Sequence, residues 1–111
     1  MKTETFEHDG IIYSITIGKN ANENSEIVNN ACESDIWFHV SDLPSCHLIL
    51  KTAVKINQIP RQVIKKCAYL CKINTTSIKN KCNVIYTNIA NVKVTKIPGQ
   101  VTTTQCKSVG V

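Results

Sequence analysis

The sequence predicts an α+β fold, a single domain with a mainly antiparallel sheet, a short helix and a longer one. Three observations carry this reading. Residues 11–17, Ile-Ile-Tyr-Ser-Ile-Thr-Ile, place Ile11, Tyr13, Ile15 and Ile17 on one face, the period-two pattern of a half-buried strand. Two apolar runs, 36–40 and 46–51, flank a turn-forming segment. Val63, Ile64, Cys67, Leu70 and Cys71 recur at helical spacing behind Pro60.

Residues 1–9 are set apart as a polar N-terminal extension, and the domain is drawn over residues 10–111. Gly18-Lys19-Asn20 ends the first strand. Asn22 or Asn24 can cap a short helix over about Ser25 to Cys32, where Ile27, Val28, Ala31 and Cys32 follow helical spacing. Ile36 to Val40 reads as a strand, Ser41 to Ser45 as a turn containing Asp42 and Pro44, and Cys46 to Lys51 as the next strand. A hairpin around that five-residue turn sets Val40 opposite Cys46, His39 opposite His47 and Trp37 opposite Ile49. Alternation then puts Trp37, His39, His47 and Ile49 on one face. The other face carries Ile36, Phe38, Val40, Leu48 and Leu50, and is the better core candidate. The helix behind Pro60 runs to about Asn74, with Arg61, Lys65, Lys66 and Lys72 on or beside its exposed side. Val84 to Thr87 and Val92 to Thr95 read as short strands that a hairpin across Asn88–Asn91 could join. Pro98-Gly99 is a turn, and Cys106 to Val111 a closing strand.

With 111 residues, 42% hydrophobic and 19% charged, the chain fits one globular domain and not a disordered one. The longest apolar run, Cys67 to Cys71, is far short of the ~20 residues that a membrane-spanning helix needs. The polar, acidic N-terminus lacks the apolar stretch of a signal peptide, so an intracellular, cytoplasmic location is expected. The six cysteines contain no C-x-x-C pair, which removes zinc-knuckle and thioredoxin motifs. They are expected as reduced thiols in apolar surroundings, with Cys67 and Cys71 on one helix face.

The net charge of +5 hides a division. All eight acidic residues lie between Glu4 and Asp42, so residues 1–42 sum to −6. Residues 43–111 hold eleven Lys/Arg and no acid, and sum to +11. Such asymmetry points to a polyanionic partner, most simply a nucleic acid. Lys51, Lys55, Arg61, Lys65, Lys66, Lys72, Lys93 and Lys96 are the candidate phosphate contacts. Phosphate contacts alone do not separate RNA from DNA, so DNA stays open as a partner.

Trp37, His39 and His47 on one sheet face could stack an unpaired base and bond its edge or a phosphate. The alternative is that Trp37 packs under a helix and the histidines satisfy backbone groups. No cofactor or metal is expected, because His39 and His47 give two ligands where zinc takes three or four protein ligands. Catalysis is not expected either. Cys46 and His47 diverge, and Asp35 lies about 13 Å along the strand from His39. A small hydrolase using His39 and His47, or a protein-interaction module whose basic surface docks an acidic partner, are the alternative functions.

Several motifs in one order carry a family resemblance. Gly18-Lys19-Asn20-Ala21 with Glu23-Asn24, Asp35-Ile36-Trp37-Phe38-His39-Val40, His47, Ala68, Val84 with Tyr86-Thr87, Val92-Lys93 and Pro98-Gly99-Gln100-Val101 together resemble the NFACT RNA-binding domain (NFACT-R) over about residues 10–109. The pattern is most similar to standalone eukaryotic members that carry this domain before a coiled coil. The resemblance implies RNA binding linked to translation and ribosome-associated quality control, with ribosomal or transfer RNA as partner. It adds Lys19 and Asn20 to the candidate contacts. The chain departs from the family at Ser45-Cys46-His47, where glycine–serine–histidine is frequent, and at Val94, where bacterial members carry a second basic residue. Larger members act with further domains, so rescue of ribosomes by this segment alone is not implied.

Overall fold

In the computed structural model, which describes residues 1–75 and 80–111, the elements follow as β1 (Lys2–His8), β2 (Ile11–Gly18), α1 (Ala21–Asn29), β3 (Ile36–Val40), β4 (His47–Lys51), α2 (Arg61–Ile73), β5 (Asn83–Asn88), β6 (Val92–Val94), β7 (Val101–Thr103) and β8 (Lys107–Gly110). Short 3-10 turns sit at Ile56–Gln58 and Ile89–Asn91. Six strands form a sheet in the order β1-β2-β4-β3-β5-β8, and β6 and β7 form a separate ribbon. Every pairing is antiparallel. The fold is the α+β class that the sequence predicts.

The helices lie on opposite faces. Ile15, Ile17, Ile36, Phe38, Val40, Leu48 and Leu50 pack beneath the Val63, Ile64, Cys67, Leu70 and Cys71 stripe of α2. The other face carries Trp37 and Ile49, covered by Ile27 and Val28 of α1 together with Ile89 and Val92. Strands β3 and β4 are therefore buried on both sides, which explains why their sequences read as apolar runs rather than as an alternation. Each large apolar side chain fully buried in this way contributes about 1.5–3 kcal/mol. No helix among the described residues is long and apolar enough to cross a membrane.

The structure departs from the sequence reading in four places. Residues 2–8, assigned to an extension, form the edge strand β1, paired with β2 from Lys2↔Ile17 to His8↔Ile11. Asp9 and Gly10 make the two-residue turn between them, both with positive φ (50° and 78°), as the twist of a tight hairpin requires. Helix α1 starts at Ala21, and its cap is Asn20 rather than Asn22 or Asn24. The Asn20 Oδ1 accepts the Glu23 N–H at 2.9 Å, while Glu23 Oε1 accepts the Lys19 N–H at 3.1 Å, a reciprocal cap. Strands β5 and β6 do not form a hairpin. Asn88 Oδ1 accepts the Ala90 N–H at 2.8 Å and starts the 3-10 turn, which takes the chain out of the sheet. β6 pairs instead with β7 across Pro98-Gly99. Finally, Cys46, Cys67 and Cys71 are buried, but Cys32 and Cys106 are exposed, since both lie outside the helix and strands that were expected to cover them.

Candidate nucleic-acid interface

The β3–β4 hairpin has the predicted register, with His39 opposite His47 and Trp37 opposite Ile49. It brings Trp37, His39 and His47 into one cluster. The His39 ring stacks on Trp37 with centroids 5.5 Å apart and 13° between planes, and His47 meets both rings edge-on. Trp37, however, is only 1% exposed. Its expected role as a base-stacking surface is corrected by the packing: α1 and β6 cover the face on which it lies, and no ring surface is left for a base.

Trp37 instead orients a neighbour. Its Nε1–H donates to His47 Nδ1 at 3.1 Å. Because indole nitrogen is only a donor, the neutral imidazole of His47 carries its proton on Nε2. Burial, and secondarily the charge of His39, push His47 down to about 4. Burial also lowers His39, against an opposing bond with the Val40 backbone. Both rings are thus uncharged at neutral pH and serve as hydrogen-bonding and packing groups, not as phosphate counter-ions.

These histidines sit where two depressions adjoin. One, of about 380 Å³, lies between Lys19, Asn20 and Ala21 at the start of α1, the Pro44–Cys46 turn, and Asn74 and Thr75 after α2. The other, of about 590 Å³, lies towards Leu43, Ile85, Ile97 and Val101. His39, His47, Pro98 and Gly99 border both. Leu43 and Ile97 are exposed at the rim, and Ile97 is 62% exposed.

Two close approaches hold this cleft. Gly18 has no room for a side chain, since a Cβ would lie 2.5 Å from Asn24 Oδ1. That Oδ1 accepts the His47 N–H at 3.2 Å and ties α1 to β4. Gly99, at φ +80°, presses on Ala21, and its N–H donates to Ser25 Oγ at 2.7 Å. The Pro98-Gly99 turn is thereby fastened to α1 from 74 residues away. Ser45 closes the hairpin turn, with its Oγ accepting from Val40 N–H at 3.0 Å and donating to the Cys46 carbonyl at 2.7 Å.

The candidate cations are dispersed. Lys19 lines the cleft, and Lys96 adjoins Ile97 at its rim. Lys93 is exposed on β6. Arg61 lines a separate depression with Tyr86 and Lys107, and Lys66 another with Phe6, Glu7 and His8. Lys65 is exposed on α2, the helix on the sheet face away from Trp37. Lys72 Nζ donates to the Val111 carbonyl at 3.1 Å. Lys51 lies 3.9 Å from the Asp35 carboxylate, and Lys55 is exposed. Asp35 is spent on the backbone, accepting from Cys32 N–H at 2.9 Å and Thr52 N–H at 3.4 Å, and does not orient His39. Among the described residues no three His, Cys, Asp or Glu side chains gather as a metal site. Asn24, Ser25 and Gly99 are the site-forming residues absent from the sequence-based candidates. The Asn20-x-x-Glu23 spacing and the Pro-Gly turn were the available signals.

Residues 2–105 match the family described as the NFACT protein RNA binding domain. The chain is 39% identical over 87 residues to coiled-coil domain-containing protein 25 of Mus musculus, a match covering 75% of this chain and 42% of that protein. It is 30% identical over 91 residues to the Rqc2 homolog RqcH of Bacillus subtilis, covering 81% of this chain and 15% of that one. Among solved structures, the C-terminal part of the fibronectin/fibrinogen-binding protein from Streptococcus suis superposes with a TM-score of 0.83 at 23% identity. That superposition covers 96% of this chain and 43% of the other, and shows a shared fold. The chain spans less than half the length of each of these relatives.

Proposed function

The chain belongs to the NFACT protein RNA binding domain family, and we propose that it acts as a non-catalytic module that binds unpaired RNA in the cleft around His39 and His47. At the family level it is an RNA-binding domain. One observation supports this placement of the ligand: four motif segments separated in sequence converge on one cleft. They are Lys19-Asn20-Ala21, His39, His47 and Pro98-Gly99. In this reading Lys19 and Lys96 meet phosphates. His39, Leu43, Ile97 and Pro98 offer packing surface to a base, in place of the buried Trp37. The Asn20 side chain is a polar group for base edges or 2′-hydroxyls, while His47, only 2% exposed, serves as packing in the cleft wall. Lys51, Lys55, Arg61, Lys65, Lys66, Lys72 and Lys93 extend the positive field that draws the ligand in.

Ribosomal or transfer RNA is the proposed partner, and an intracellular, cytoplasmic setting goes with it. The test is fluorescence anisotropy with labelled single-stranded ribosomal and transfer RNA fragments, a DNA of the same sequence, and an acidic protein as competitor. His39→Ala should weaken RNA binding by about 1–3 kcal/mol, the usual worth of one aromatic stacking contact. Unchanged affinity in both His39→Ala and Lys19→Ala would remove the cleft from consideration. Displacement of the RNA by the acidic protein at equal concentration would favour the protein-docking alternative.

A further inference from the structure

We propose that Cys46 and Cys71 are a redox-active dithiol in the wall of the cleft, which closes to an intramolecular disulfide on exposure to hydrogen peroxide. The inference does not depend on what occupies the cleft. The two sulfurs lie 3.7 Å apart, in van der Waals contact, although the residues are 25 positions apart. One sits just ahead of β4 and the other in the last turns of α2.

The surroundings divide the labour between them. Cys46 borders the cleft beside Lys19, Ser45 and Thr75 and keeps 5% of its surface exposed, which makes it the more accessible of the two to a small oxidant. Cys71 is fully buried behind it. The Cys46 Sγ lies 3.2 Å from the Cys71 carbonyl, and Thr75 Oγ1 lies 3.5 Å from the same sulfur. The Cys46 N–H also reaches Thr75 Oγ1 at 3.3 Å. Hydrogen bonding from Cys71 and Thr75, with the nearby Lys19 charge, lowers the Cys46 thiol below its ordinary value, against its own burial. The bond with Cys46 and burial hold Cys71 well above its ordinary value. Cys46 is therefore the nucleophile and Cys71 the resolving thiol.

The steps balance without another reagent. The Cys46 thiolate attacks one peroxide oxygen, the O–O bond breaks, and hydroxide leaves as water with the proton the thiol gave up. Cys46 is then a sulfenic acid. The Cys71 sulfur attacks the Cys46 sulfur, the S–O bond breaks, and the departing hydroxyl takes the Cys71 proton to form a second water. Two thiols have lost two electrons and two protons, and one peroxide has become two waters. The new bond joins the β3–β4 turn to the end of α2 and fixes the back of the cleft. Cys67, also fully buried on α2 and pushed up to about 12 by that burial, does not take part.

Peroxide titration of the reduced full chain at pH 7, followed by alkylation and peptide mapping, tests the proposal. Free thiols should fall from six to four, with one linked peptide pair joining Cys46 to Cys71 before the exposed Cys32 or Cys106 is consumed. Dithiothreitol should restore all six. In Cys71→Ser, dimedone should label Cys46, because the sulfenic acid then has no resolving partner. Oxidation of Cys32 and Cys106 with Cys46 and Cys71 still alkylated as thiols would overturn the proposal. So would a linked peptide joining Cys46 to any other cysteine. The wild-type map decides the matter even where the variant fails to fold.

Discussion

At Trp37 a single N–H sets the chemistry of the neighbouring imidazole, so two substitutions should separate its roles. Trp37→Ala removes a buried aromatic side chain and should cost about 3–5 kcal/mol in urea unfolding at pH 7. Trp37→Phe keeps most of the volume but leaves His47 Nδ1 without its donor, and should cost about 1–3 kcal/mol. Full stability of the alanine variant with weakened RNA binding would return Trp37 to the stacking role. His47 carries a pH dependence of definite sign. Its native value of about 4 lies below the 6.5 of an ordinary histidine. Above pH 6.5 neither state binds the proton and the stability from the neutral ring is complete. As the pH falls from 6.5 to 4 the unfolded chain takes up a proton that the native chain refuses, and stability declines by up to about 3 kcal/mol. The lowered His39 adds to the loss in the same direction. Urea midpoints at pH 7 and pH 4.5 should therefore differ more in the wild type than in His47→Gln, and equal differences would remove His47 as the cause.

Between elements, the contact of the Pro98-Gly99 turn with α1 is the joint that shapes the cleft. A Cβ on Gly99 would stand 2.8 Å from Ala21 Cα, on a backbone at φ +80°. Gly99→Ala should lower stability by about 1–3 kcal/mol and weaken RNA binding with it, read by thermal melting and anisotropy on the same sample. The elements that a local pattern dictates were legible in the sequence. The β3–β4 register followed from a five-residue turn, and α2 followed from Pro60 and an apolar stripe. The Asp9-Gly10 turn was equally local, but β1 alternates too weakly in hydrophobicity for its strand to stand out, with Phe6 as its main apolar contact. The burial of Trp37 had one local signal, the apolar run of β3. The burial itself depends on Ile89 and Val92, which reach that face only because Asn88 turns the chain out of the sheet. The gathering of His39 and His47 was visible in the register, while their partners Asn24, Ser25 and Gly99 come from contacts across the whole chain.

For the whole molecule, the fold reduces the charge division that the sequence displays. Strand β1 carries Glu4 and Glu7, and Lys66 shares a depression with Glu7, so part of the acidic segment faces α2. Lys19 lines the cleft, and Lys96 precedes its rim residue Ile97 in the chain. Replacing Lys19 and Lys96 by alanine should flatten the log–log salt slope of single-stranded RNA binding by about 1.4, at about 0.7 per phosphate contact. Replacing Lys65 and Lys66 should flatten it less, and equal effects would mean that overall charge, not the cleft, governs binding.

The two-sided burial of β3 and β4 has a consequence for the protein's internal clock. Backbone amides along Trp37, Phe38, Leu48 and Ile49 open to solvent only when the whole domain unfolds, so their deuterium uptake should be the slowest in the chain and should report the global free energy. The β1 edge and the Pro98-Gly99 turn should exchange orders of magnitude sooner. His39 and His47 thus stand on the part of the molecule that opens last, while the walls that face them can breathe without melting it.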